Sequence, residues 1–307
     1  MNSTPMPLRI LVTGSKGQLG TELKRILDTI SAEIGPLPDV YKDAVAEYVD
    51  YDVLDITDAG QVDRYIGEFH PDIVINCAAY TNVDGCETDQ KAAHSVNAEG
   101  PRNLAAACKR TGAKLVQVST DYVFPGNEPG ARKESDPTGP LSAYGRTKLY
   151  GEQAVMEETD RFFIVRTAWL YGYVGKNFVK TMKRLGESHD SVSVVDDQYG
   201  NPTSANDLAY QILKLALTDD YGIYHCTNNG TVSWAQFAKA VMDGFGLECE
   251  VVPVTSEQYK IANPASADRP AYSSLDNFHL ETTIGDEMRD WDIALAEYIK
   301  RFPELEG

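Results

Sequence analysis

A run of apolar residues that ends directly in glycines constrains this chain more than any other feature. Leu8-Arg9-Ile10-Leu11-Val12-Thr13 reads as a buried strand, and Gly14-Ser15-Lys16-Gly17-Gln18-Leu19-Gly20 follows with no linker between them. Leu19 to Ile30 then carries apolar residues at helical spacing, so the segment predicts a strand, a tight turn and a helix. Glycines at those three places permit the turn, the approach of a ligand to the backbone and the packing of helix on strand. The helix N-terminus adds unpaired N–H groups and partial positive charge. In that context the spacing predicts a dinucleotide site. A triphosphate-binding loop is excluded, because no Gly-Lys-Ser/Thr closes the motif.

The alternation continues. Glu47–Tyr51, Asp72–Cys77, Ala113–Val118, Phe162–Val165 and Gly222–Cys226 are short strand-like runs, with helical patterns over Asp58–Phe69 and Ala92–Arg110. Strands alternating with helices predict a parallel sheet with right-handed crossovers. The fold class expected is α/β: a Rossmann-type doubly wound parallel sheet with a smaller C-terminal substrate-binding lobe. Beyond Arg166 glycines and Pro202 punctuate the pattern, which predicts a Rossmann domain over 1–166 with a later contribution from about 204–230, and a lobe over 167–203 and 231–307. Ser31–Val45 separates the first helix from the second strand and is expected to be a long loop with a short helix of its own. Ser233-x-x-Gln236 predicts a capping box that opens a helix over Trp234–Phe245.

Asp50, or failing that Asp52, ends the second strand, where a carboxylate hydrogen-bonds ribose hydroxyls and favours NADH over NADPH. Lys16, inside the glycine loop, would offset a 2′-phosphate and pull the preference the other way. NADPH or NADH is therefore the expected cofactor. Asp55-Ile56, just before the next helix, is a candidate adenine contact. Ser119-Thr120 ends the fourth apolar run, and Tyr144 stands four residues before Lys148. Residues at that spacing share one helix face, so phenol and ammonium can meet on one bound molecule, the ammonium lowering the phenol's pKa. Tyr144 is the expected proton donor.

With 42% hydrophobic residues, the 307-residue chain can bury a large core. Its formal charge of −18 repels polyanions, which disfavours nucleic acid and anionic membrane as partners. A small anionic substrate then needs local cations, for which Lys176, Lys180, Arg132, Lys133 and Arg269 are candidates. No apolar run reaches the length of a membrane span, and Met1–Pro7 lacks the basic start and apolar middle of a secretory leader, so the expected location is the cytoplasm. The 5 cysteines (Cys77, Cys86, Cys108, Cys226 and Cys249) show no Cys-x-x-Cys spacing, which predicts reduced thiols and neither a disulfide frame nor zinc.

Together the glycine loop, Asn76-Cys77-Ala78-Ala79, Ser119-Thr120-Asp121-Tyr122-Val123-Phe124 and Tyr144-x-x-x-Lys148 resemble the extended short-chain dehydrogenase/reductases. Within that superfamily Ser119–Pro125, Arg166–Tyr171, Asn177–Met182, Asp197–Thr203 and Arg269-Pro270 are similar to the dTDP-4-dehydrorhamnose reductases, in order and over nearly the whole chain. The resemblance implies hydride transfer from NAD(P)H to C4 of dTDP-4-keto-L-rhamnose, giving dTDP-L-rhamnose for surface polysaccharide. It implies that Tyr144 protonates the C4 alkoxide, Thr120 hydrogen-bonds the carbonyl oxygen and Lys148 holds the nicotinamide ribose. Around the cofactor it places Gly14, Lys16, Gly17, Gln18, Leu19, Gly20, Asp50, Asp55, Ile56, Ala78, Ala79, Tyr80 and Asn97, besides Tyr144 and Lys148. Around the sugar nucleotide it places Thr81, Val83, Asp121, Tyr122, Trp169 and Arg269.

Some relatives hold a metal between subunits with acidic residues; Glu22 matches one such position and no other matches, so no metal is expected. The partners expected are a small-molecule nucleotide sugar and a second copy of the chain in a homodimer, with no nucleic acid and no membrane. Sister enzymes on this scaffold run dehydratase or epimerase chemistry. Dehydratases follow the Thr with Asp-Glu, whereas here Asp121 precedes Tyr122, which has no carboxylate to remove a substrate proton. An epimerase with retained NAD and a non-catalytic regulatory subunit are the other rivals, the second opposed by the intact Thr120, Tyr144 and Lys148.

Overall fold

The computed structural model describes residues 6–306, so most of the Met1–Pro7 stretch lies outside it. The first part of the chain forms β1 (Arg9–Thr13), α1 (Gln18–Thr29), β2 (Val45–Val49), α2 (Ala59–Phe69) and β3 (Ile73–Asn76). Then come α3 (Val83–Thr88), α4 (Gln90–His94), α5 (Gly100–Thr111), β4 (Lys114–Thr120), α6 (Ala143–Glu158) and β5 (Phe162–Thr167). After these follow β6 (Leu170–Tyr171), α7 (Phe178–Gly186), β7 (Ser191–Val195), β8 (Tyr199–Gly200), β9 (Thr203–Ser204), α8 (Ala205–Ala216) and β10 (Gly222–His225). The C-terminal part holds β11 (Val232–Ser233), α9 (Trp234–Phe245), β12 (Glu250–Val254), α10 (Ser256–Ala262), α11 (Phe278–Thr283) and α12 (Trp291–Leu305).

Six strands make one sheet in the order β2-β1-β3-β4-β5-β10, with every neighbouring pair parallel. The predicted parallel, doubly wound α/β sheet is present. Its central strands are buried on both faces, which is why they read as apolar runs without alternation. Ile10, Val12, Ile75, Val116 and Val165 pack with α1 and α8 on one face; Leu11, Val74, Leu115 and Ile164 pack with α2 and α5 on the other. A third cluster, including Tyr171, Tyr173, Phe237, Tyr298 and Phe302, forms the core of the smaller lobe. Leu280 and Met288 belong to the sheet's core, so part of the segment expected in the lobe returns to the sheet.

One stretch differs from the sequence reading, and a second, as expected in its short helix, is packed more tightly than a loop need be. The helix expected over Ala92–Arg110 is interrupted by a π turn at Ser95–Glu99, an inserted residue that turns Asn97 inward. Ser31–Val45 does contain a short 3-10 helix, Asp39–Tyr41, and it is not a free loop: Leu37 and Tyr41 are buried. The Tyr41 hydroxyl donates to Leu213 O at 2.5 Å, which pins the segment on α8. Replacement of Tyr41 by Phe should leave that carbonyl without its buried donor and lower unfolding stability by about 1–2 kcal/mol. A denaturant titration that shows no loss would contradict this packing.

Candidate active site

Strand order reverses between β1 and β3, and in an open parallel sheet the crevice beyond the strand ends at that point is where ligands bind. A cleft of about 850 Å³ lies there. Under it, the Thr13 hydroxyl donates to Asn76 Oδ1 (2.6 Å), and Asn76 Nδ2 donates to Gln117 Oε1 (2.7 Å), so a buried polar ladder joins the ends of β1 and β3 to the middle of β4. The same Asn76 oxygen accepts Ala78 N–H at 3.1 Å.

The three glycines of the loop have separable duties. Gly14 has φ +64°, and a Cβ there would lie 2.5 Å from Ala78 N; a Cβ on Gly20 would lie 2.4 Å from Gly14 O. Gly17 has ordinary φ, and a Cβ on it would meet only Gly14 O, at 3.3 Å. Packing therefore demands the first and third glycines, while the second leaves room above the N-terminus of α1, which no side chain caps. That space fits a pyrophosphate.

At the far end of the loop the carboxylates are already engaged. Asp50 accepts the N–H groups of Lys16 (3.0 Å) and Tyr51 (2.8 Å), and Lys16 Nζ pairs with Asp52 at 2.8 Å. Asp55 accepts both the N–H (2.9 Å) and the hydroxyl (2.7 Å) of Thr57, forming the entry to α2. Asp50, Asp55 and Ile56 still line the cleft, with Ala78, Ala79 and Tyr80 across from them. Gln18 and Leu19 line it too.

Helix α6 begins at Ser142, whose hydroxyl accepts Gly145 N–H at 3.1 Å, and the cap sets Tyr144 and Lys148 on the face turned to β4. Tyr144 and Thr120, at the end of β4, line the same cleft wall, and the Thr120 hydroxyl acts on the phenol. Burial pushes the Tyr144 phenol above its ordinary value, with smaller contributions from Thr120 (downward) and Asp121 (upward). The expected lowering by Lys148 is absent, because its ammonium is turned to Val118 O at 2.7 Å. Burial also drops Lys148 to about 8, against an upward pull from Glu152 one turn further along. The Thr120 hydroxyl donates to Asp121 Oδ1 at 2.7 Å. Asp121 is buried, and burial raises it to about 6; its other oxygen has no hydrogen-bond partner among the described residues.

The opposite wall belongs to the smaller lobe. Trp169 has φ 47°, a left-handed conformation uncommon for a bulky residue, and stacks on Trp234 at 3.4 Å between centroids and 5° between planes. Its Nε1–H donates to Ser273 Oγ at 3.2 Å. Both tryptophans line the cleft, as do Thr81, Val83, Asp121 and Tyr122. From the sequence Trp234 reads only as the first residue of a capped helix; a large aromatic side chain directly after the cap is the available signal.

Two expected site residues stand outside the lining. Asn97 is buried behind it: its Oδ1 accepts Tyr80 N–H (2.8 Å), and its Nδ2 donates to Tyr80 O (3.0 Å) and Thr147 Oγ1 (3.1 Å), so it braces the wall. Arg269 lies beyond Tyr122, donating to Ala267 O (3.3 Å) and Asp84 (3.5 Å). Of the five cations suggested for an anionic substrate, Lys176 alone lines the cleft. Lys180 donates to Tyr173 O (3.0 Å), Arg132 to Glu128 O (3.3 Å), and Lys133 lies over Phe278. Glu22 is neutralised by Arg25 (2.6 Å) and accepts from Asn206 (2.9 Å).

The sequence profile of the RmlD substrate binding domain matches residues 8–303. The chain belongs to the RmlD family. It is 43% identical to a dTDP-4-dehydrorhamnose reductase of Streptomyces griseus, over 100% of this chain and 97% of that one. Among solved structures it is similar to a dTDP-4-dehydrorhamnose reductase of Clostridium acetobutylicum (TM-score 0.90, 44% identity, 96% of this chain and 100% of that one). A second, from Bacillus anthracis and in complex with NADP, has TM-score 0.88 and 40% identity over 97% of this chain and 99% of that one.

In this RmlD-family chain the glycine geometry separates binding from folding. Gly17→Ala should melt within a few degrees of the parent and yet weaken NADPH at least tenfold in a fluorescence titration. Gly20→Ala should instead destabilise the fold by about 1–3 kcal/mol. The reverse pattern would remove the assignment of Gly17 to the ligand.

Proposed function

We propose that the protein reduces the C4 ketone of dTDP-4-dehydro-L-rhamnose to dTDP-L-rhamnose, with NADPH or NADH as reductant, for rhamnose-containing surface polysaccharide. The observation that carries this reading is the convergence of Thr120, Tyr144 and Lys148 on the cleft wall beside a glycine cradle that leaves room for a pyrophosphate. Its support also includes full-length similarity to proteins named for that reaction, one of them in complex with NADP.

Gly14, Gly17, Gly20 and the start of α1 would hold the coenzyme's pyrophosphate, Asp50 and Lys16 the adenosine ribose, and Lys148 the nicotinamide ribose. When bound, the reduced nicotinamide supplies the hydride. Tyr144 is the acid: burial keeps its phenol protonated at neutral pH, and the proton passes to the C4 oxygen as charge develops there. Thr120 turns its hydroxyl from Asp121 to the same oxygen and stabilises that charge. Lys148, which rests on Val118 O, would leave that carbonyl to steady the phenolate left behind. Tyr122, Asp121 and Trp169, together with Trp234, would orient the sugar nucleotide.

Either reductant suits the ribose end. Lys16 can leave the exposed Asp52 for a 2′-phosphate, and Asp50 stands ready for a free diol. We infer a cytoplasmic homodimer with no nucleic-acid or membrane partner. The charge of −18 disfavours nucleic acid and anionic membrane as partners, and no described helix is long and apolar enough to cross a membrane. We also propose the division into a coenzyme domain, 1–166 with 204–230 and the stretch around Leu280 and Met288 that returns to the sheet, and a sugar lobe from the remainder.

Tyr144→Phe should bind NADPH as the parent does and lose about two to four orders of magnitude in turnover. A loss below threefold would mean that another group is the acid. The lowered Lys148 ammonium gives a pH signature in the absence of sugar. Its charged form prevails below about 8, so NADPH affinity should weaken as pH rises through that value. Lys148→Met should flatten the curve, and a parent curve flat from pH 6 to 9.5 would exclude Lys148 from the coenzyme site.

A further inference from the structure

The chain is acidic, yet its cleft is balanced: Lys16, Lys148 and Lys176 line it against Asp50, Asp55 and Asp121. Two of those cations are committed, Lys16 to Asp52 (2.8 Å) and Lys148 to Val118 O (2.7 Å). Lys176 is exposed and makes no ion pair or side-chain hydrogen bond among the described residues.

The loop that carries Lys176, between β6 and α7, is fastened to the glycine loop. Asn177 Nδ2 donates to Gln18 Oε1 at 3.0 Å and to Gly172 O at 2.7 Å, while its Oδ1 accepts Lys180 N–H at 2.9 Å and caps α7. A Cβ on Gly175 would lie 3.7 Å from Gln18 Cγ. Gln18 is the first residue of α1, whose uncapped N-terminus opens on the cleft. The smaller lobe thus holds a free ammonium next to the place where the sheet presents its anion cradle.

We propose that Lys176 is a ligand to the diphosphate of the bound coenzyme, delivered across the cleft by the sugar lobe. The proposal rests on the dinucleotide reading of the glycine loop. A diphosphate brings about two negative charges into a cleft whose wall is neutral, and a helix N-terminus supplies only about half a positive charge against them. Lysine meets phosphate as a point charge, and the short tether to Gln18 restricts where that charge can sit. Coenzyme binding then adds a charged link between the two lobes beside the Asn177–Gln18 bond. The sugar nucleotide carries a diphosphate of its own, and the test must tell the two apart.

NADPH is titrated by fluorescence into the parent, Lys176→Ala and Lys176→Arg without sugar, at low and high salt, and dTDP is titrated by calorimetry into the same proteins. Lys176→Ala should bind NADPH about tenfold more weakly, with a smaller salt dependence, the size expected for one charge-assisted contact in a partly open site. Lys176→Arg should stay within about threefold, and dTDP affinity should move less than twofold in both, with unchanged melting temperatures. NADPH affinity of Lys176→Ala equal to the parent's, or a larger loss for dTDP than for NADPH, overturns the proposal. A parent that takes up no NADPH overturns the dinucleotide reading beneath it.

Discussion

The buried ladder Thr13–Asn76–Gln117 is the constraint on which the rest of the site depends. Its two links, 2.6 and 2.7 Å long, join the ends of β1 and β3, where their loops must open toward a ligand, to the middle of β4. Buried side chains of this kind are stable only if fully paired, so the ladder fixes the strands' relative heights. Asn76 extends the restraint by taking Ala78 N–H, which brings the chain after β3 against Gly14. The glycine loop then has one conformation, with its free space above Gly17 and the start of α1.

The second half of the site is held by a buried charge network. Arg166 on β5 makes two bonds to Glu152 (2.9 and 2.7 Å), and Glu152 also accepts the Ser119 hydroxyl at 2.5 Å. Glu152 lies four residues beyond Lys148 and eight beyond Tyr144, so one helix face carries acid, ammonium and anchor. Removing either partner of such a pair costs about 3–5 kcal/mol, far more than a surface ion pair contributes. Helix α6 is thereby locked in register on β4, and Tyr144 meets Thr120 because Glu152 meets Arg166. The low value of Lys148 follows from the same burial, with Glu152 limiting the fall.

What could be seen in the sequence was what is local. The strand–glycine–helix start, the runs that became β3, β4 and β5, the Tyr144–Lys148 face and the Ser233 cap all lie within a few residues of chain, where periodicity and turn chemistry act. Long-range partners were out of reach. Nothing near Asn97 announces a π turn whose product braces Tyr80, and nothing near Tyr41 announces its bond to Leu213, 172 residues away. Trp234 was visible as a helix start, and its stacking on Trp169 depends on packing between separate elements. Electrostatics failed for a related reason: spacing placed Lys148 beside Tyr144, but burial of both groups dominates, and Val118 O takes the ammonium.

The central claim is that hydride is delivered to C4 of a keto sugar and that the coenzyme is consumed. The most direct measurement is NMR of the sugar nucleotide formed from dTDP-4-dehydro-L-rhamnose with NADPH deuterated at the transferable position of nicotinamide C4. The account predicts one deuterium at C4 of dTDP-L-rhamnose for each coenzyme oxidised. An isomerised keto sugar with no net oxidation, or a reduced sugar free of label, would contradict it.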